Sequence, residues 1–477
     1  MADKANGTPT KDFFVDMLTR DIDLNDAILD LLDNCLDGAI RQKSGKKKWT
    51  DMKYYVGYYS HISITEDCFI IEDNCGGIPR DIAEKYAFRM GRSDDMKEEV
   101  LPTVGIYGIG MKRAIFKIGM SAEVLTRNSS SLYSVKIPIS WVDDETWDFP
   151  IDDKLDKKLL PNGGTRITIK NINANIANLW KSKDRINKFI TDLVEAIRKS
   201  YSFIIEKGFS ITINGTQVEP LQLKLLSDNT QKHGIKPFLY YQKFEQENVE
   251  VSLAVGFYAA PPSPDDIDDE IEQKRTTGDA GWTVVCNDRV VLYNDKTHLT
   301  GWGESGIPKY HTQFIGIRGI VVFESPTPKN LPMTTTKRGI DTSSEIYAVI
   351  KDKMRQGLKL FTDYTNKWKG QNTKERTYSS VAESIPIKEL LGPPEHMTSA
   401  GFKLNKSKGG LIYKPILPKP DTDKPYRIIR YTRSIQDIMD LLEFFYRDRN
   451  HEATPSQIGE KCFDYVLEKA KKYNGDK

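Results

Sequence analysis

Eight residues, 72–79, indicate the fold most sharply, and they read Glu-Asp-Asn-Cys-Gly-Gly-Ile-Pro. They follow the apolar run Phe69–Ile71, which together with His61–Thr65 is typical of a β-hairpin. The paired glycines favour a tight turn, and they would also let the backbone approach a flat ligand. Asp73, at the end of a strand, could accept a hydrogen bond from an exocyclic amine, which adenine has and guanine lacks at that position.

An acidic helix precedes this stretch. Apolar residues recur every three or four positions between Asp23 and about Ala39, which predicts a helix with one apolar face. Its polar side carries four carboxylates and one amide: Asp26, Asp30, Asp33, Asp37 and Asn34. Like charges at this spacing repel one another. Such a stripe is either a solvated surface or a place where a divalent cation or an activated water is used.

A glycine-rich segment follows the turn and leads into another predicted helix, Met111–Ile118. Residues 105–114 read Gly-Ile-Tyr-Gly-Ile-Gly-Met-Lys-Arg-Ala. The start of a helix offers unpaired N–H groups and the positive end of its dipole, so this pattern favours phosphate binding. It is not a Rossmann fingerprint, because no long strand precedes it, nor a Walker loop, because the Gly-Lys-Ser/Thr ending is absent.

Composition limits the remaining possibilities. The chain has 477 residues, enough for roughly three domains. Its 69 basic and 67 acidic residues leave a charge of +2, which argues against a basic nucleic-acid coat or an acidic tail. Five cysteines without a Cys-x-x-Cys pair argue against a disulfide framework and a common zinc site. Without an apolar run near 20 residues or the apolar core of a signal peptide, we expect a cytoplasmic protein that does not enter a membrane.

The pattern along the chain predicts three units. The first, residues 1–207, would close with a long helix, Lys183–Glu206. The second, 208–370, would open with a strand and an Asn-Gly turn at 214–215 and end with the helix Ser343–Trp368. The third, 371–477, would begin as a proline-rich linker or strap over residues 386–425, without a core, and end in helices.

The order of these motifs resembles the GHKL, or Bergerat-fold, ATPase superfamily. That superfamily includes the ATPase component of DNA gyrase, heat-shock protein ninety, histidine kinases and MutL, and the MORC ATPases look most similar because residues 90–94 read Met-Gly-Arg-Ser-Asp. The resemblance covers Asp23 to about Lys170. It implies an α+β chain: a two-layer α/β sandwich that binds ATP, then a ribosomal-protein-like α/β transducer domain, then a helical C-terminal region.

The resemblance also implies the nucleotide site. Asn34 would hold Mg²⁺, Asp73 would bind the adenine amine with Gly77 letting the base lie close, and Thr165 would support the base. The phosphates would be cradled by the glycine-rich segment and the helix that it enters, and residues 90–110 would form a lid. The cofactor-binding residues are Asn34, Asp37, Asp73, Gly77, Ile78, Gly105, Tyr107, Gly108, Ile109, Gly110, Met111, Lys112 and Thr165.

For catalysis, the resemblance implies a general base four residues before Asn34, where this chain has Asp30 instead of the usual glutamate. A carboxylate one methylene shorter could fail to reach the attacking water, which leaves Asp33 as the other candidate and predicts slow or absent hydrolysis. Lys337, in the loop before the long helix of the second unit, would contact the terminal phosphate. Cys75 replaces a family glycine, and the following pair, Gly76 and Gly77, would supply the turn.

The resemblance further implies an ATP-gated switch that forms a homodimer, with the segment Lys11–Leu18 exchanged between copies. Its partner would be DNA or an effector protein, in a bacterial DNA-related or antiviral defence system. The alternatives are a regulator that binds ATP without hydrolysing it and a chaperone-like ATPase acting on a protein. A protein histidine kinase is not expected, because the first histidine of the chain, His61, lies inside the ATP-binding unit.

Overall fold

The structure is a computed structural model, and it describes residues 9–43, 49–89, 108–156, 158, 160–228, 230, 233–262, 278–334, 336–407, 409–420, 429 and 432–475. No helix in these ranges is long and apolar enough to cross a membrane.

The helices are α1 Lys11–Arg20, α2 Leu24–Gln42, α3 Arg80–Ile82, α4 Gly110–Ile118, α5 Ala174–Trp180, α6 Lys183–Glu206, α7 Glu345–Trp368, α8 Asn372–Ser379, α9 Ile387–Leu390, α10 Pro394–Ser399, α11 Ile435–Tyr446 and α12 Pro455–Gly475. The strands are β1 Tyr59–Ile64, β2 Phe69–Asp73, β3 Gly119–Arg127, β4 Leu132–Ile137, β5 Ile151–Asp152, β6 Gly164–Ile172, β7 Ser210–Ile213, β8 Thr216–Gln217, β9 Lys224–Ser227, β10 Phe238–Phe244, β11 Val249–Phe257, β12 Gly281–Cys286, β13 Arg289–Asp295, β14 Ile317–Glu324, β15 Glu383–Pro386, β16 Asn405–Ser407 and β17 Gly410–Tyr413.

The first unit is a sheet covered by helices on one face. Its strands lie in the order β5-β4-β3-β6-β2-β1-β7-β8. Burial alternates along β1, with Ile62 and Ile64 buried and His61 exposed, as expected for a strand with one covered face. The buried face packs against α2, α4 and α6 in one apolar core. The predicted two-layer α/β sandwich is therefore confirmed.

The boundary of this unit differs from the expected one. The hairpin of β7 and β8 was predicted to open the second unit after residue 207. In the structure β7 pairs in parallel with β1, so the hairpin is the edge of the first sheet. The error arises because a hairpin signal is local, whereas the sheet that a hairpin joins is decided by pairing with a distant strand. The division into two units remains a proposal, and its boundary has to lie after β8 instead of between residues 207 and 208.

The second unit is built on a sheet buried on both faces. Its strands lie in the order β13-β12-β14-β11-β10-β17-β16. Along β14, Val321 and Phe323 enter a core with α7, whereas Ile320 and Val322 enter a second core on the opposite face. That second core also contains Trp49 and Phe203 of the first unit. The two units are therefore packed together and share side chains at their interface.

The expectation of a coreless linker over residues 386–425 was wrong for its described first part. Strand β17 pairs with β10 and extends the second sheet. Leu390, Leu391, Met397 and Phe402 are buried in the core that faces the first unit. Prolines and glycines break this segment into short elements, and its few apolar residues have no helical or strand period that would have revealed their burial.

Candidate functional site

The polar side of α2 is buried where the two units meet. Asp30, Asp33 and Asp37 are 4%, 1% and 2% exposed, so the stripe is not a solvated surface. Asn34, between them in sequence, is exposed. Three buried carboxylates on one helix require partners, because a buried charge without compensation is costly.

Asp33 has three donors, two of which come from the second unit. The Tyr201 hydroxyl, on α6, and Arg289 Nε, on β13, lie 2.5 Å and 3.0 Å from Asp33 Oδ1. Lys337 Nζ lies 2.8 Å from Asp33 Oδ2. Burial would raise the pKa of the Asp33 carboxyl, but Lys337 and Arg289 together hold that pKa below its usual value. We call Asp33, Tyr201, Arg289 and Lys337 the Asp33 network.

Lys337 is a buried cation in a strained position. It is 8% exposed and has a φ of 59°, a left-handed conformation that a lysine rarely adopts. Burial lowers the pKa of its ammonium group, but the carboxylates of Asp33, Asp37 and Asp30 outweigh that effect and raise the pKa above its usual value. Lys337 is therefore charged and lies against the acidic side of α2. A lysine that is to bind the phosphate of a ligand must carry this charge.

Asp30 connects α2 to the start of α4. Arg113 of α4 donates to its carboxylate, and a Cβ placed on Gly110 would lie 3.5 Å from the Asp30 side chain. Burial raises the pKa of Asp30, and the charges of Lys337 and Arg113 offset only part of that rise. A carboxylate with a raised pKa is a better proton acceptor near neutral pH, which suits a general base.

The start of α4 has the form expected of an anion-binding helix end. Its N-cap residue, Ile109, provides no side-chain hydrogen bond to the first turn, and Gly108 before it has a φ of 68°. Lys112 points inward, because its ammonium donates to the carbonyl oxygens of Gly108 and Ala87. Burial lowers the pKa of Lys112 to about 8. The backbone N–H groups at Gly110 and Met111, and not the lysine side chain, are therefore the groups available to an anion here.

The turn after β2 carries the second candidate region. Asp73 is 8% exposed, and its Oδ1 accepts a hydrogen bond of 2.7 Å from the Cys75 N–H. Burial raises the pKa of Asp73 to about 6, although the hydrogen bond from the Cys75 N–H favours the ionised form. A Cβ on Gly38 of α2 would lie 2.6 Å from the Cys75 carbonyl oxygen, so the turn after Asp73 lies against the same helix as the acidic side chains.

Glycines shape that turn as predicted. Gly76 and Gly77 have φ values of 109° and 70°, whereas Cys75 does not have a positive φ. A Cβ on Gly77 would lie 2.3 Å from the Arg127 carbonyl oxygen, so no other residue fits there. The structure thus gives Gly77 a packing role against the end of β3, in addition to the predicted close approach of a base.

Thr165 lies next to Asp73, as the resemblance requires. The two residues pair directly between β6 and β2, and the Thr165 and Thr126 hydroxyl oxygens are 3.2 Å apart. The Thr126 hydroxyl also accepts a hydrogen bond of 2.8 Å from the Ile78 N–H. Thr126 therefore contacts two of the predicted nucleotide-binding residues, Thr165 and Ile78.

Some predicted residues cannot be placed. Gly105, Tyr107 and residues 90–107 of the expected lid lie outside the described residues. Within the described ranges, no group of three or more histidine, cysteine, aspartate or glutamate side chains could hold a metal ion.

Sequence reasoning missed four residues that complete the site: Arg113, Thr126, Tyr201 and Arg289. Arg113 is within the quoted glycine-rich segment, and its position one turn into α4 was the available signal. Tyr201 and Arg289 are separated from Asp33 by 168 and 256 residues, and no local pattern links them to it.

Comparison with known proteins agrees with this geometry. Residues 22–156 match the family model described as histidine kinase-, DNA gyrase B-, and HSP90-like ATPase. The first unit therefore contains a GHKL-type ATPase domain. The matched residues include α2, the Asp73 turn and the start of α4, whereas Thr165, Arg289 and Lys337 lie beyond them. No curated protein matches the chain.

Proposed function

We propose that this chain is a Mg²⁺-dependent ATPase in which the second unit senses the terminal phosphate of ATP through Lys337. The observation that carries the proposal is the insertion of Lys337 into the acidic side of α2, 2.8 Å from Asp33. A binding domain alone would not need a buried cation from another unit in this position. ATP bound here would act through its different affinity for two arrangements of the units.

The residues present fit the proposed nucleotide. The uncapped start of α4 offers N–H groups to phosphate oxygens. Asn34 is exposed beside the buried carboxylates, so its amide oxygen can reach a cation that phosphate also binds. Asp73 is a buried acceptor against α2 for an exocyclic amine. Bound ATP would supply the phosphoanhydride, Asp30 would orient and deprotonate a water, and Lys337 would neutralise charge at the terminal phosphate.

Binding and turnover test this proposal directly. We expect the wild-type chain to bind a fluorescent ATP analogue only with Mg²⁺, and Asn34→Ala to weaken that binding about tenfold or more, since it removes the proposed metal ligand. Asn187→Ala is the matched control, because Asn187 is exposed on α6 and lies about 21 Å along that helix from Tyr201. A wild-type chain that binds no ATP would refute the proposal.

A homodimer formed on ATP binding is the second part of the proposal. Helix α1 is held on its own chain by Lys11, whose ammonium lies 2.5–2.7 Å from the carbonyl oxygens of Trp141, Asp144 and Thr146. Helix α1 also packs against α4, since Lys117 donates to the Thr19 carbonyl oxygen. Phe13 and Met17 of α1 are 61% and 53% exposed. Helix α1 therefore joins the last turn of α4 to an exposed apolar surface, so a shift of α4 on phosphate binding would be passed to that surface.

Light scattering with and without a non-hydrolysable ATP analogue and Mg²⁺ tests dimer formation. We expect the mass to double with the analogue, and Phe13→Ser with Met17→Ser to prevent the doubling without affecting nucleotide binding. An unchanged wild-type mass would contradict dimer formation, and the proposal would then be reduced to a monomeric ATPase. The DNA or protein partner and the role in defence are proposed from the family resemblance alone.

A further inference from the structure

Asp33 divides its two oxygens between the cations of the second unit. Oδ1 receives Arg289 at 3.0 Å and the Tyr201 hydroxyl at 2.5 Å, and Oδ2 receives Lys337 at 2.8 Å. The carboxylate is 1% exposed, so water cannot replace a partner that leaves. If Lys337 moved to another anion, however, Oδ1 would keep both of its donors.

Arg289 is fixed far more firmly than Lys337. Its Nη1 lies 2.9 Å from the Val290 carbonyl oxygen and 3.3 Å from that of Ser200, and its guanidinium lies over the Tyr201 ring at 4.4 Å. For the Lys337 ammonium, the structure shows one hydrogen bond in the described part of the chain, to Asp33. An ammonium group has three donors, so two of them can serve another acceptor.

A phosphate at the start of α4 would compete with Asp33 for this lysine. Gly110, at that start, lies against Asp30, and the charge of Lys337 in turn acts on Asp30. Leaving a buried carboxylate without a cation is strongly unfavourable. Lys337 can therefore turn to a phosphate only if another cation stays with Asp33.

We infer that Arg289 is a positioning residue for terminal-phosphate recognition: it keeps Asp33 neutralised, so that Lys337 can leave that carboxylate for the phosphate. The inference rests on the proposed function. Without Arg289, Lys337 is the cation that Asp33 must retain, and the terminal phosphate loses its partner. ADP lacks that phosphate, so its binding does not depend on Arg289.

The ratio of ADP to ATP-analogue dissociation constants, measured with Mg²⁺, tests the inference. We expect wild type to prefer the non-hydrolysable ATP analogue by about tenfold or more, the usual effect of one charge-assisted hydrogen bond. Arg289→Gln should abolish most of this preference while leaving ADP binding nearly unchanged. Arg318→Gln is the matched control, because Arg318 is 4% exposed, lies on the same sheet and pairs with Asp279 instead of Asp33. It should keep the wild-type ratio.

A double variant separates positioning from mere structural support. Asp33→Asn combined with Arg289→Gln removes both buried charges, so Lys337 loses the carboxylate that accepts its hydrogen bond in the described part of the chain. We expect this variant to recover most of the ATP preference, which a purely structural defect would not allow. It also remains informative if Arg289→Gln alone does not fold, because no buried carboxylate has then lost its arginine, and the carboxylates of Asp30 and Asp37 still act on Lys337.

Two results would overturn the inference: an unchanged ratio in Arg289→Gln, or a double variant that folds and binds ADP but has no ATP preference. Equal weakening of ADP and ATP-analogue binding in Arg289→Gln would likewise show a structural role and overturn it. Wild-type protein that binds neither nucleotide would instead refute the proposed function, so the two failures can be told apart.

Discussion

Two buried clusters of charged side chains lie where the units meet. Two consecutive residues of one hairpin, Asp288 and Arg289, each belong to one of these clusters. Asn287 and Asp288, both with positive φ, form the turn between β12 and β13, and Arg289 follows. Arg289 joins the Asp33 network. Asp288 lies 2.7 Å from Lys207 Nζ through Oδ1 and 3.0 Å from the Tyr55 hydroxyl through Oδ2. We call Asp288, Lys207 and Tyr55 the Asp288 network.

The two networks differ in the number of cations around the carboxylate and in how completely the side chains are buried. In the Asp288 network one carboxylate meets one ammonium, and the two side chains are 0% and 2% exposed. In the Asp33 network one carboxylate meets two cations, and the Lys337 side chain is 11% exposed and held at a positive φ. The Asp288 pair is enclosed, which fits a role in holding the units together, whereas the Lys337 ammonium has donors that a phosphate could accept. Substitutions should therefore affect stability in one network and nucleotide chemistry in the other.

The largest expected effect is on turnover, at the edge of the Asp33 network. Asp30→Asn keeps the size of the side chain and an acceptor for Arg113, but it cannot take a proton. If Asp30 is the general base, kcat should fall about 10²–10⁴-fold while the dissociation constant for ATP changes little. Phosphate release and equilibrium binding measure the two quantities.

Asp192→Asn, an exposed position on α6, is the control for this substitution and should leave turnover unchanged. Unchanged turnover in Asp30→Asn would assign the base to Asp33 or to another group. Wild-type protein that binds ATP but releases no phosphate would support the alternative of a regulator without hydrolysis.

The next effect is on stability and tests the Asp288 network. Asp288→Asn leaves the Lys207 ammonium buried without its counter-ion, and asparagine tolerates the φ of 70° at this position. Breaking a buried pair in this way costs about 3–5 kcal/mol in the free energy of unfolding, which a urea titration measures. The ADP to ATP-analogue ratio should stay at the wild-type value.

The matched control is Asp152→Asn, which breaks the pair with Lys136 on the first sheet, where both side chains are substantially exposed. We expect no measurable change in its unfolding midpoint. If Asp288→Asn altered nucleotide selectivity but not stability, the distinction between the two networks would be wrong.

Local parts of this site could be predicted from the sequence. The apolar period of α2 predicted the helix and placed Asp30, Asp33 and Asn34 on it, and the paired glycines predicted the turn after Asp73. These features depend on neighbouring residues, because helix periodicity and positive φ are properties of short segments. The glycine-rich entry into α4 was recognised in the same way.

The interface could not be predicted, because its contacts join residues that are far apart in the chain. Asp33 and Lys337 are 304 positions apart, and the Asp288 pair with Lys207 spans 81. Each member has an ordinary surface pattern in its own segment: Lys337 is in a polar loop and Asp288 in a tight turn. Both residues form ion pairs because they are buried at the interface between the units. Which residues become buried there depends on how the two sheets pack. The pairing of β7 with β1 was not predicted for the same reason, since it joins two segments that are distant in the sequence.

A smaller effect concerns pH at the adenine end of the proposed site. Because burial raises the pKa of Asp73 to about 6, its carboxyl becomes protonated as the pH falls through that value. A neutral carboxyl is a weaker acceptor, so affinity for ATP should fall about tenfold between pH 7 and pH 5. Asp73→Asn, which does not titrate, should show a flatter profile.

The contribution of Asp73 to stability should have the opposite sign. Its pKa is raised above the unfolded value, so the folded state binds the proton more tightly, and stability falls as the pH rises from about 4 through 6. Affinity and thermal stability measured on the same samples should therefore change in opposite directions. A parallel loss of both at pH 5 would indicate general acid unfolding instead of titration of Asp73.

The smallest effect is expected one residue beyond Lys337. Arg338 pairs with Asp26 at the rim of α2, where the two side chains are 23% and 33% exposed. Burial lowers the pKa of Arg338 to about 10, so it remains charged near neutral pH. Solvent screens this pair, and Arg338→Gln should lower the free energy of unfolding by less than about 1 kcal/mol. A urea titration beside Asp288→Asn measures the contrast. A loss as large as that of Asp288→Asn would show that the rim, and not the closed Asp288 pair, holds the second unit against α2.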